Sequence, residues 1–397
     1  MIDQTSRPSR PVAEVFMAFL KLGLTSFGGP VAHLGFFRDE FVLRRKWLDE
    51  AAYADLVALC QFLPGPASSQ VGFALGLMRA GWGGALAAFA AFTLPSAILL
   101  TALALTATRI EGPLAAGLLH GLKLAAVAIV AQAVWGMARS LCPDRERAVI
   151  AVLAVAVLAF APGSVGMMVA IAFGALAGLL LNKGQALPGT MTPVAVGKRT
   201  GLAALALFVA LLVGLPLLAG LGQGVVLAEA FYRAGALVFG GGHVVLPLLE
   251  AATVQPGWVS EDAFLTGYGA AQAVPGPLFT FAAWLGAVMG PAPNGILGAG
   301  IALLALFLPG FLLLVAALPF LGWMRRHRLA QSGMQGANAA VVGILAAALY
   351  DPVFTSAVTG MPDFALALAG FVALTVWRAP PWSVVLLVAT GGALMGY

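Results

Sequence analysis

The chain has 397 residues, 61% of them hydrophobic and 9% charged, with a net charge of +5 and a mean hydropathy of +0.98. Such a composition excludes a soluble domain of useful size and places the chain among integral membrane proteins. Its Lys and Arg residues are spread through short loops between apolar runs rather than gathered on one face, which argues against a nucleic-acid partner.

In chain order, the polar start MIDQTSRPSRP has no apolar stretch with a small-residue cleavage site, so a retained cytoplasmic tail is expected. The first apolar block, Phe19 to Gly35 (FLKLGLTSFGGPVAHLG), is interrupted at Gly28-Gly29-Pro30. A second block carries Trp47, Glu50, Gln61 and Pro64-Gly65-Pro66. Runs able, or nearly able, to cross a hydrocarbon core of about 30 Å follow at 82–108, 113–138, 148–161, 164–182 and 201–221. The run 148–161 covers only about 21 Å and stops at Pro162-Gly163. The first block then returns, 212 positions on, as Phe231 to Pro247 (FYRAGALVFGGGHVVLP), broken at Gly240-Gly241-Gly242. Trp258, Glu261, Gln272 and Pro275-Gly276-Pro277 repeat the second block, and runs at 295–322, 331–350, 363–377 and 381–397 complete the chain. One membrane unit is thus written twice: a repeat over 12–182, a linker with an inverting helix over 183–228, and a second repeat over 229–397.

Each break interrupts an apolar stretch too short to cross twice, which predicts re-entrant hairpins of two half-helices. Non-helical backbone at membrane depth is tolerated only where it lines a cavity or is buried in protein. Charge sets the orientation. The loop between the first two hairpins carries Arg38, Arg44, Arg45 and Lys46, whereas its counterpart, Ala251 to Asp262, has no Lys or Arg. Counting spans from a cytoplasmic first loop puts Arg139, Arg145, Arg147, Lys183, Lys198, Arg199, Arg325, Arg326, Arg328 and Arg378 inside. The loops 222–228, 290–294 and 351–362, free of Lys and Arg, fall outside. The expected fold is an all-α polytopic membrane protein of two inverted-topology repeats, each with two re-entrant half-helix hairpins plus about four spans, joined by an odd linking helix. Its N-terminus is expected in the cytoplasm and its C-terminus in the periplasm.

A half-helix starting at mid-membrane presents unpaired N–H groups and about half a positive charge, an anion-binding end. Pro30, Pro66 and Pro277 are expected at first helical positions. Gly28, Gly29, Gly65, Gly240, Gly241 and Gly276 allow close backbone approach, Pro64 and Pro275 complete their triplets, and Gly242 in the place of Pro30 loosens that break. Thr25, Ser26, Ser68, Ser69, Gln70, Thr280 and the repeated Gln61 and Gln272 offer hydrogen bonds to an oxyanion, although Ser and Thr equally serve helix packing. Lys21 and Arg233 stand at equivalent places before the glycine breaks. Lys123 lies near the centre of 113–138, with His120 one turn earlier. Cations inside a membrane are functional candidates by default, with snorkelling as the structural alternative for the first two. His33, His243 and Glu250 are proton-coupling candidates, a structural hydrogen bond being the alternative for either histidine. Cys60 and Cys142 lie far apart. With four histidines (His33, His120, His243, His327), no HExxH, no cysteine pair and no glycine-rich dinucleotide turn, neither a metal nor a cofactor nor an enzyme activity is expected.

Phe27-Gly28-Gly29-Pro30, Trp47-Leu48, Gln61 and Pro64-Gly65-Pro66, followed by Phe239-Gly240-Gly241-Gly242, Trp258-Val259, Gln272 and Pro275-Gly276-Pro277, resemble the chromate ion transporter (CHR) family in its long two-domain form. The resemblance covers nearly the whole chain. It implies export of chromate from the bacterial cytoplasm across the inner membrane, with sulfate as the competing analogue. A dianion leaving a cell with a negative interior gains about 4.6 kcal/mol per 100 mV, so potential alone can drive efflux and proton exchange is optional. Alternating access, with the half-helix ends holding the oxyanion, is the mechanism expected. Import or exchange of sulfate or another anion by the same fold, a membrane-embedded enzyme and a passive anion channel are the alternatives. The expected partners are an inorganic oxyanion and the lipid bilayer, with a homodimer left open.

Overall fold

The computed structural model describes residues 11–27, 29–107, 113–181, 196–239, 242–320 and 327–395. Expectations for Gly28, Gly240, Gly241, Lys183, Arg325 and Arg326 lie outside them. Among the described residues every regular element is helical, as expected where no water can satisfy the backbone. Copy one comprises α1 (Pro11–Thr25), α2 (Gly29–Phe37), α3 (Glu50–Phe62), α4 (Ala67–Ala107), α5 (Pro113–Leu141), α6 (Arg145–Phe160) and α7 (Ser164–Leu181). After α8 (Lys198–Leu217), copy two comprises α9 (Gln223–Ala236), α10 (Val245–Thr253), α11 (Glu261–Ala273), α12 (Phe281–Val288), α13 (Gly295–Ala317), α14 (Arg328–Ala348), α15 (Met361–Thr375) and α16 (Pro381–Met395). Among the described residues five segments are long and apolar enough to cross a membrane, Ala67–Thr106, Ala116–Leu141, Lys198–Leu217, Gly295–Phe320 and Gln331–Ala357. The chain is a multi-pass membrane protein.

The run read at 82–108 proves to be one leg of α4. A straight helix of 41 residues would be about 60 Å long, twice the hydrocarbon thickness. Instead the backbone leaves helical geometry at Ala80 (φ −141°) and Gly81 (φ +63°). The legs then fold back on each other, so that a Cβ on Gly76 would lie 2.3 Å from the Gly84 carbonyl oxygen. In copy two α12 and α13 cross in the same way, a Cβ on Gly286 falling 2.2 Å from the Gly298 oxygen. Each P-G-P triplet is therefore followed by a short leg, a reversal and a long helix.

Small residues set the packing in both copies. Gly23 of α1 sits on the Ala91 and Phe92 carbonyls, and its repeat equivalent Gly235 of α9 sits on that of Leu306. Between copies, Gly117 and Gly121 of α5 meet Gly392 and Ala389 of α16, while Gly174 and Gly178 of α7 meet Ser332 and Gly336 of α14. Small residues four apart let helix backbones touch, which replaces the hydrophobic drive that is missing in lipid.

The loop end of copy one is held by charge. α2 continues through a π-helical stretch, Arg38–Arg44, that brings the buried Glu40 against Arg44, Arg45 (2.7 Å) and Lys21 (3.6 Å). Glu14 takes Arg79 (2.9 Å), Arg45 (3.4 Å) and the Trp47 indole N–H (3.3 Å). Burial pushes the Glu40 carboxyl up, but hydrogen bonds from Arg45 and Arg44 and the charge of Lys21 outweigh it and hold the group below its ordinary value. Copy two has Val226 and Ala252 at the places of Glu14 and Glu40. Because the Glu40 pKa is depressed, its contribution is present above about pH 4.5 and is lost as pH falls. Glu40→Gln is expected to lower stability by about 2 kcal/mol at neutral pH, a difference that shrinks toward pH 4 when followed by thermal unfolding in detergent.

Candidate functional site

The sequence breaks that fall among the described residues meet at one crossing. The Gly65 amide donates to the Val238 carbonyl (2.7 Å), and the Gly276 amide donates to the Ser26 carbonyl (2.9 Å). Ser26 and Val238 are repeat equivalents, as are Gly65 and Gly276, so each P-G-P triplet bonds to the first break of the other copy. Pro30 and Gly242, also equivalents, face each other: a Cβ on Gly242 would stand 2.8 Å from the Pro30 ring. Gly65 (φ +117°) and Gly276 (φ +103°) occupy the backbone region that favours glycine. Neither has room for a side chain, a Cβ falling 2.8 Å from Gly310 Cα in one case and 2.7 Å from Ser96 Oγ in the other.

Two of the three prolines, Pro66 and Pro277, act one step earlier than the sequence implies. Pro66 and Pro277 precede their helices and cap them: the Pro66 carbonyl accepts from the Gln70 amide (2.9 Å), and that of Pro277 accepts from the Thr280 amide (3.0 Å) and hydroxyl (2.7 Å). An extended residue whose carbonyl takes the first helical bond is an N-cap, and Pro277 has the matching backbone (φ −71°, ψ 133°). Pro30 is the second residue of α2, after Gly29 (φ +77°). With the glycine amides already donated, the N–H groups at the helix starts that have no intrahelical partner are those of Ala67, Ser68 and Ser69 in one copy and of Leu278 and Phe279 in the other.

Polar side chains surround this crossing. Gln70 Nε2 donates to the carbonyls of Pro64 (2.9 Å) and Gly310 (2.8 Å), clamping the copy-one break to α13. His33 Nδ1 lies 3.5 Å from Ser68 Oγ, its ring edge-on to Phe92. Ser26 Oγ, Ser69 Oγ, Thr93 Oγ1, His33 Nε2, Gln70 Oε1 and Gln272 Nε2 are buried without a hydrogen-bond partner among the described residues. Each such atom costs roughly 1–3 kcal/mol, so this concentration calls for an explanation beyond packing. The hydroxyls and the Gln272 amide can donate to an oxyanion, as can His33 in the tautomer protonated at Nε2, whereas Gln70 Oε1 only accepts.

Other residues singled out from the sequence are exposed, ion-paired or hydrogen-bonded. Gln61 is exposed on α3, so it does not share the buried environment of Gln272. All three candidate cations are ion-paired: Lys21 with Glu40, Arg233 with Glu229 (3.3 Å) and Lys123 with Asp262 (2.8 Å). His120 pairs with the buried Asp363 (3.0 Å), which also accepts from the Thr359 amide and hydroxyl. His243 Nδ1 lies 2.8 Å from the Tyr268 hydroxyl, and the Thr25 hydroxyl donates to the Lys21 carbonyl. Glu250 closes α10 at its loop end, where burial, then Glu261 and Asp351, raise its carboxyl to about 7. Among the described residues no group of three metal-ligating side chains occurs. Thr93, Ser96 and Gly310 escaped the sequence reading. Their signal was the pair of prolines inside long helices, Pro95 in α4 and Pro309 in α13, which loosen the local hydrogen-bond ladder.

The chromate transporter family model matches residues 13–179 and 225–397. A chromate transport protein of Pseudomonas aeruginosa is 30% identical over 97% of this chain and 92% of its own length. A chromate transport protein of Cupriavidus metallidurans is 28% identical over 86% of this chain and 82% of its own. An uncharacterized transporter of Methanocaldococcus jannaschii is 25% identical over 87% and 85%. No solved structure matches.

Two outcomes test this geometry. Gly242→Pro sets two proline rings against each other and is expected to cost about 1–3 kcal/mol of stability, while exchanging the pair (Pro30→Gly with Gly242→Pro) recovers most of the loss in thermal unfolding. A Glu250 pKa raised above its unfolded value gives stability that is fully present below about pH 4.5 and declines as pH rises through about 7. Glu250→Gln is therefore expected to flatten that decline, by about 1–2 kcal/mol after solvent screening. An unchanged slope would assign the titration to another group.

Proposed function

This chain belongs to the chromate transporter family, and from that premise we propose that it exports chromate from the cytoplasm by alternating access, holding the oxyanion at the crossing of the four breaks. The observation that carries this reading is the set of unpartnered buried donors, Ser26, Ser69, Thr93 and Gln272, beside the starts of α4 and of the turn leading into α12. Neutral hydroxyls and amides with helix N-termini suit a tetrahedral dianion. Such a site holds charge without a buried lysine that would retain it too tightly for release. The relatives named as chromate transport proteins support the substrate class. Sulfate, of the same charge and shape, is the expected competitor.

Inverted repeats over 12–182 and 229–397, joined through 183–228, are part of this proposal, with the breaks read as re-entrant half-helix hairpins. What supports them is reciprocity: exchanged bonds (Gly65 to Val238, Gly276 to Ser26) and a self-equivalent contact (Pro30 to Gly242) are the pattern a two-fold axis produces. The opposite distribution of Lys and Arg in equivalent loops supports antiparallel insertion in the bacterial inner membrane, N-terminus inside and C-terminus in the periplasm. Rocking one hairpin set against the other breaks two amide–carbonyl bonds at about 1 kcal/mol net each. That is small beside the roughly 4.6 kcal/mol per 100 mV available to a dianion. Proton exchange through His33, His243 or Glu250 would add to that drive without being required.

The test is flux in liposomes carrying purified protein, with an imposed potential and no pH gradient. Potential-driven chromate movement, blocked by excess sulfate and reduced at least about tenfold in the Ser69→Ala, Gln272→Leu double variant, is the expected result. Absence of chromate flux under either a potential or a pH gradient, or normal flux in the double variant at normal incorporation, overturns the proposed site.

A further inference from the structure

We propose that the groove between α4, α8 and α13 is a binding site for an anionic phospholipid of the cytoplasmic leaflet, with an acyl chain along the groove and the phosphate at Lys198 and Arg199. The groove has a volume of about 620 Å³ and is walled by Trp82, Phe89, Leu207, Phe307 and Phe311, with Thr200 at one end. It exists because α8 stands away from the bundle. Only Gly201 and Ala204 of that helix are buried, Gly201 lying against Pro319. From Thr200 to Leu207 the groove follows α8 for about 10 Å, from the helix start toward the membrane interior, which is the course of a lipid tail.

The charged end commits the site to an anion. Lys198 and Arg199 are exposed in the first turn of α8, next to Thr200. That turn has no acidic residue and no side-chain cap. Cations at a helix N-terminus oppose the helix dipole, and a phosphate beside them reverses the mismatch. Trp82, the first residue after the α4 reversal and half exposed, marks the same end as the membrane interface, where tryptophan is favoured. The sidedness of Lys and Arg makes this the cytoplasmic end, and basic pockets between helices on that side suit anionic head groups. The inference rests on that sidedness and not on the identity of the transported anion.

Native mass spectrometry of the full-length protein, equilibrated in mixed micelles of phosphatidylglycerol and phosphatidylcholine, tests it directly. The expected result is retained phosphatidylglycerol with a preference of at least about tenfold. That preference is expected to fall toward one in the Lys198→Gln, Arg199→Gln double variant, and retention of either lipid is expected to be lost in Ala203→Phe, which fills the groove. Equal retention of the two lipids by the unmodified protein overturns the proposal, as does an unchanged preference in the double variant. A dimer that covers α8 and carries no lipid overturns it as well. Selective thermal stabilisation of the unmodified protein by phosphatidylglycerol, which needs no variant to fold, is the second expected readout, and its absence counts against the site.

Discussion

A helix interrupted inside a bilayer frees N–H and C=O groups that lipid cannot satisfy, at a cost of several kcal/mol each. Here the amide at the heart of each P-G-P triplet finds its partner in the other copy, Gly65 on Val238 and Gly276 on Ser26. The rest of the architecture follows from those two bonds. They go with glycine at positive φ, close contact with the opposing long helix at Gly310 Cα or Ser96 Oγ, and, in copy one, the Gln70 clamp. In this chain each of these amides is satisfied by the other copy and not by its own.

The sequence duplication, the P-G-P breaks and the order of short and long helices were legible because glycine, proline and apolar length are local signals. The α4 reversal was not: Ala80-Gly81-Trp82-Gly83-Gly84 lies inside a continuous apolar run, where small residues signal close packing as readily as a turn. The state of the intramembrane cations was equally hidden. Lys123 looks isolated along the chain, yet its partner Asp262 is 139 positions away, and Asp363 lies 243 positions from His120. Only tertiary structure supplies such neighbours. Repeat equivalence also overreached at Gln61 and Gln272, since one faces out and the other in. Alignment of sequence does not transfer burial when the surrounding helices differ.

What the two copies do not share is as informative as what they do. Where the copies meet, Pro30 crowds the space that a ring at residue 242 would need, and the first break is proline in one copy and glycine in the other. Away from the axis the loop ends diverge in charge. The basic network of Arg44, Arg45 and Arg79 around Glu14 and Glu40 belongs to copy one, and the acidic group of Glu250, Glu261 and Asp351 belongs to copy two.

Among the described residues the unpartnered polar atoms divide unequally as well, with Ser26, His33, Ser69, Gln70 and Thr93 from one copy and Gln223 and Gln272 from the other, Gln223 at the far start of α9. In the proposed arrangement a duplicated scaffold thus frames an asymmetric site. Asymmetry of this kind cannot give transport a direction, because a carrier that consumes no energy moves its substrate only down the gradient it meets. What it can set is the affinity presented to each side. In the proposed cycle the membrane potential supplies the direction. The unequal contributions of the two copies then decide how tightly the oxyanion is held when the crossing faces the cytoplasm, and how readily it is released when the crossing faces out.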